Sequence, residues 1–134
     1  MTPAYQAKQH GELPENQKLD MFTDVASEMV LVHNMIIRGL NCIYLQAPHI
    51  KPSERRSFCR FIIGWHAYLH AHHHSEETIL FPGIEKMTGV KGIMERNVEQ
   101  HHMFEEELER LREYAEAVVE GKEEYDGSKV IGLV

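Results

Sequence analysis

Basic residues are too few in this chain to outweigh the acidic ones: 14 lysines and arginines stand against 21 aspartates and glutamates, a formal charge of −7. That balance gives no electrostatic footprint for nucleic acid or an anionic membrane. Long apolar runs are missing too, since none approaches the ~20 residues of a membrane span. The polar start, MTPAYQAKQHGELPENQ, lacks the hydrophobic core of a signal peptide. Cysteine is scarce, with Cys42 and Cys59 alone and no CxxC pair. Both are expected to be small buried hydrophobes in a reducing compartment, which makes the cytoplasm the expected location. Strand-like alternation of apolar and polar residues is absent, and an all-α fold is what remains.

Histidine is the residue in excess, at 10 of 134. The chain length suits one domain with a single core. Residues 1–18 read as a flexible N-terminal arm, 19–121 as a helical bundle and 122–134 as a short C-terminal tail. Within the bundle a first helix is expected from about Leu19 to Gln46, closed by APHIKPS, where Pro48 and Pro52 forbid continuation. A second, N-capped by Ser53, runs to about Phe81 and stops at Pro82-Gly83. A third runs from about Ile93 to Glu120, with Gly121 as its stop. Three long helices of similar length joined by short connectors predict an up-down antiparallel bundle.

Inward positions of such a bundle recur at alternating steps of four and three. On the first helix this picks out Phe22, Ala26, Met29, His33, Ile36, Leu40 and Ile43. On the second it picks out Phe58, Ile62, Trp65, Leu69, His72, Glu76 and Ile79. The third helix gives Met94, Val98, His101, Phe104, Leu108, Leu111, Ala115 and Val118, and Glu105 follows His101 one turn on. His73 and Glu77 form a parallel pair rotated about 100° from His72 and Glu76. The latter pair is preferred because Trp65 and Leu69 precede it on the same stripe. His66, His70, His73, His74 and His102 then lie to the side or on the far face. The i,i+4 pairs His66/His70 and His70/His74 could chelate adventitious zinc or nickel, but are read first as solvated surface residues. Glu106, Glu107, Glu109, Glu113 and Glu116 form the wet face of the third helix.

A core holding His33, His72, Glu76, His101 and Glu105 needs an explanation, because burying an unpaired carboxylate costs several kcal/mol. A shared divalent cation offsets that cost for the whole set. Imidazole with carboxylate suits iron, manganese or zinc, and a bridging carboxylate favours two ions over one.

These residues resemble the hemerythrin-like, HHE cation-binding family. The resemblance rests on His33 in LVHNMIIRGLN, on HHSEETILFP from His72, and on VEQHHMFEEEL around His101, in that order, across about residues 20–120. The VHNMIIRGLN segment looks most like the small HHE proteins of fungi. The family implies a four-helix bundle around a non-haem di-iron centre. By position, His33 and His72 would bind one iron, Glu76 would bridge and His101 would bind the second. Glu105 stands where hemerythrins proper have a further histidine, implying a harder, more oxygen-rich site. The family's fourth helix supplies another histidine and carboxylate, yet no histidine follows His102 here, so the resemblance implies a fourth helix that is missing or very short. A shortened sequence, or a homodimer partner covering the open seam, is the expectation.

The expected function is therefore metal-ion binding, with two irons if the site is complete and zinc or manganese as alternatives, serving oxygen binding or iron or oxygen sensing. The competing readings are a di-iron oxidase-type enzyme of a biosynthetic pathway and a metal-free interaction module with an exposed helical groove. The residues offer no separate proton donor, nucleophile or phosphate loop for catalysis, so the non-enzymatic reading is preferred.

Overall fold

The computed structural model describes residues 21–134, and side chains from residue 23 onward; the expected N-terminal arm and the Phe22 side chain lie outside them. Among the described residues the chain divides between Arg38 and Gly39 into two units. Helix α1, Met21–Gln46, runs through the division. In the first unit the expected inward positions of α1 are unevenly covered: Met29 is half-buried, while Ala26 and His33 are exposed.

The second unit is built on α2 (Arg55–Ser75) and α4 (Glu95–Glu120). They pack along each other in antiparallel sense. Near one end Arg56 Nη2 donates to the Val119 carbonyl oxygen at 2.6 Å, capping α4 from the start of α2. Near the other, the His73 ring stacks on His101 with centroids 3.9 Å apart. Between them Phe58, Cys59, Ile62, Trp65 and Leu69 of α2 meet Leu111, Tyr114, Ala115 and Val118 of α4 in the core. Gly39 lets Trp65 lie against α1: a Cβ there would stand 2.4 Å from the indole Cδ1. No strand occurs among the described residues, and the fold is all-α and helical-bundle in kind.

Both boundaries of the second helix differ from the sequence expectation. Ser53 lies in a 3₁₀ turn, Pro52–Glu54, and Glu54 precedes α2 without a side-chain cap. The second helix does not stop at Pro82. It widens into one π turn, Glu76–Leu80, and resumes as α3, Phe81–Thr88. The wider turn is closed by the Phe81 N–H on the Glu76 carbonyl oxygen, and Pro82 falls in the first turn of α3, where a missing N–H is tolerated. An i→i+5 bond carries one extra residue per turn. That slip sends Ile79, expected inward, to 73% exposure and brings Phe81 in at 6%. Helix α3 ends at Gly89 with φ 71°, a left-handed cap open to glycine. Cys42 is exposed rather than buried, whereas Cys59 is buried and its thiol is pushed up to about 11 by desolvation.

The segment after Gly121 is not a free tail. It forms a short helix, α5, Gly127–Leu133, N-capped by Asp126, whose side chain accepts from Ser128 N–H. Val130 on it is fully buried. The Tyr125 hydroxyl donates to the Ala47 carbonyl oxygen at 2.7 Å, and the Asp126 N–H donates to the Tyr114 hydroxyl at 2.7 Å. Tyr125 also meets Phe58 edge-on and lies beneath the Arg55 guanidinium.

Gly127 sits so close to the turn after α1 that a Cβ would be 2.4 Å from the Ala47 carbonyl oxygen. Backbone lies on both sides of that contact, so neither can yield cheaply. Gly127→Ala is expected to destabilise the chain by about 1–3 kcal/mol, read as a lower urea midpoint. Gly132→Ala, whose Cβ would meet nothing within 4 Å, serves as the control.

Candidate metal centre

The end of α2 carries His72 and Glu76 on one face because four residues separate them, a little over one helical turn. Both are buried, Glu76 to 3% exposure. The His72 Nε2 stands 3.4 Å from Glu76 Oε1. From α4, His101 Nε2 stands 3.4 Å from the other oxygen, Oε2. The carboxylate is thus divided between two histidines on two helices.

The π turn begins at this glutamate. Two hydroxyls take up carbonyls at the helix–π junction: Ser75 Oγ donates to the His72 carbonyl oxygen at 2.8 Å and Thr78 Oγ1 to that of His74 at 2.6 Å. Such back-bonding is a usual companion of a distorted turn. Because the slip falls after Glu76, it leaves the His72–Glu76 spacing intact and turns Phe81 inward, where its ring stacks near His101 at 5.9 Å.

His101 is oriented from three sides. His73 stacks on it at an interplanar angle of 12°, Phe81 lies beyond, and its Nδ1 shares a 2.8 Å hydrogen bond with Glu77 Oε1. With Nδ1 bearing the proton, the imidazole donates to that carboxylate and its Nε2 lone pair is directed at Glu76. A carboxylate behind the far nitrogen fixes tautomer and ring orientation.

Among the residues expected at the site, His72, Glu76 and His101 come together. Glu105 is exposed and lines a cleft beside them. His33 belongs to the first unit and is exposed. Glu77 was not among the expected site residues; its one signal was the parallel His73/Glu77 pair. The side-facing reading fails for two histidines. His73 is half-buried against His101, and His66 is buried to 7% exposure with its Nε2 3.3 Å from Glu109 Oε2. The buried stripe of α2 is wide enough to take Trp65 and His66 as neighbours, as core-facing helices commonly require.

Imidazole and carboxylate groups gathered from adjacent helices about one buried glutamate define a class, the helical domains that hold cations between their helices. The chain belongs to the hemerythrin HHE cation-binding domain family, whose model matches residues 24–130. The match runs through α5 as far as Val130. Over 91 residues the chain is 37% identical to the dimeric xanthone biosynthesis cluster protein R11 of Cryptosporiopsis sp. (strain 8999). That similarity covers 67% of this chain and 35% of the curated relative, so well under half of the relative is represented. No solved structure gives a significant match. No described helix is long and apolar enough to cross a membrane.

Burial holds the His66 imidazole below its ordinary value, against the opposite pull of Glu109. Between the folded and unfolded values the folded chain therefore binds fewer protons, and stability rises with pH there. The metal-free chain is expected to hold this contribution above about pH 6.5 and to lose it as the pH falls through and below that value. His66→Gln should flatten this part of the profile, measured as urea midpoints across mildly acidic to neutral pH.

Proposed function

We propose that the chain holds a non-haem iron centre, of two ions when complete, in an oxygen-binding or iron- or oxygen-sensing role. One observation carries the reading: the buried Glu76 carboxylate turns each of its oxygens to a different histidine nitrogen at 3.4 Å. A charge-assisted hydrogen bond would draw such pairs to about 2.7–2.9 Å. Two ligand atoms each about 2.1 Å from one ion are instead separated by about 3.0–3.4 Å. The donor set, neutral imidazole with carboxylate, suits iron, and also manganese or zinc.

In this reading His72 and His101 offer Nε2, and Glu76 bridges. Glu77 keeps the His101 lone pair on the ion side. Glu105 follows His101 by one turn and is proposed as an oxygen ligand; His33 is proposed on its sequence position alone. Water or a second copy of the chain completes the coordination. Bound iron supplies one-electron redox chemistry and a coordination position for a small molecule such as dioxygen. The chain's own part is to hold the donors in fixed orientation in a buried place.

A second reading is favoured by the curated relative, whose name places it in a xanthone biosynthesis cluster. On that reading the same residues serve an oxidase-type enzyme in a biosynthetic pathway. Oxygen uptake that depends on an added organic substrate marks the enzyme; oxygen-dependent absorbance without turnover marks the carrier or sensor.

The chain loaded anaerobically with ferrous iron should retain close to two ions, by elemental analysis, if a bridged centre forms as in the donor arrangement above. His72→Ala with Glu76→Ala should abolish that retention. Iron held equally by the double variant contradicts the proposal. Glu77→Ala should weaken iron binding by about 10–100-fold while leaving the helical content unchanged, as read by competition with a chromophoric chelator and by far-ultraviolet circular dichroism.

A further inference from the structure

We propose a second divalent-cation site, separate from the Glu76 cluster and independent of its reading, formed by His66 and His70 of α2 with Glu109 of α4 and suited to Zn²⁺. These groups line, with Leu69 and Leu108, part of a cleft of about 390 Å³ between the two helices, whose remaining wall includes His101, Glu77 and Glu105. The midpoints of the pairs His66/His70 and His72/Glu76 are six residues apart, about 9 Å along the helix axis.

The geometry has three parts. His66 and His70 are one turn apart on one face, with rings within 24° of parallel and centroids 6.3 Å apart. Two imidazoles at this spacing on a helix can close on one ion. Glu109 faces them from α4, its Oε2 at 3.3 Å from His66 Nε2. Its other oxygen, Oε1, accepts from Arg112 Nε at 2.9 Å, which fixes the carboxylate so that one oxygen is offered to the histidines.

A buried core histidine paired with a carboxylate is the simpler reading of His66. Two features go beyond it. The 3.3 Å separation is longer than a charge-assisted hydrogen bond. His70 is exposed beside it, its ring 6.3 Å from that of His66, and the proposed site requires that ring to turn toward the same point. Arg112 does not repel a cation there on balance, because its guanidinium is shared between Glu109 and Glu116 and the local charge stays negative. Two nitrogens and one oxygen, with water in the remaining position, make an open tetrahedral zinc set.

The test uses the full chain carrying His72→Ala and Glu76→Ala, with Zn²⁺ alone as the probe in isothermal titration calorimetry. One equivalent of zinc should still bind. Adding His70→Gln, a substitution at an exposed position, or Glu109→Gln should weaken it by at least about tenfold. His74→Gln and His102→Gln should change it less than about twofold, since those residues line the cleft outside the ligand set. In the parent chain, where folding is undisturbed, His70→Gln should remove one of the bound zinc equivalents. Absence of residual binding in the double variant, or an equal loss from His74→Gln and His102→Gln, would overturn the site.

Discussion

A carboxylate left at 3% exposure between two helices is the constraint on which this structure turns. An ionised Glu76 taken from water costs several kcal/mol unless other charges or dipoles replace its hydration. Its surroundings supply histidine nitrogen on both oxygens, from its own helix through His72 and from α4 through His101. Neutral imidazoles alone repay little of that cost; a cation shared among them repays much more. The residues next outward are arranged to keep those nitrogens in place, with Glu77 and His73 both acting on the His101 ring.

The π turn makes this arrangement compatible with a continuous core. An α-helix carried on without interruption would have placed Ile79 over the core and left Phe81 elsewhere. The extra residue allows the polar pair His72 and Glu76 to be followed at once by an aromatic wall beside His101. At the opposite end of the α2–α4 pair the closure is apolar and backbone-driven. Arg56 caps α4, Tyr125 and Tyr114 bond the chain that follows it, and Val130 plugs the gap near Ala47. A seven-residue helix suffices there because its task is to seal an end. It is too short to line the length of a 26-residue helix.

Much of this was legible in the residues. The four-and-three spacing picks out Phe58, Ile62, Trp65, Leu69, His72 and Glu76 as the buried face of α2, and each is buried. The rule fails at Ile79 because it assumes 3.6 residues per turn, and nothing in the pattern announces a turn that holds more. Pro82 misled for a related reason: proline stops a helix whose N–H it removes, but the first turn after the π slip does not need that N–H. His66 was missed because a single-file seam is narrower than the face α4 covers. Glu77 was visible only as half of an alternative register, and the structure uses both pairs, His72/Glu76 for the buried carboxylate and His73/Glu77 around His101. Family membership was legible because three short motifs occur in order, each weak by itself. Which metal binds was not, since imidazole with carboxylate serves several.

Glu76 is proposed as a shared ligand rather than a hydrogen-bonded core residue. Anomalous diffraction from crystals of the iron-loaded chain, recorded on both sides of the iron absorption edge, tests it most directly. Iron peaks are expected in contact with Glu76, with His72 and His101 on opposite sides of the carboxylate. Iron found only elsewhere, with the Glu76 oxygens hydrogen-bonded to the same two histidines, would contradict it.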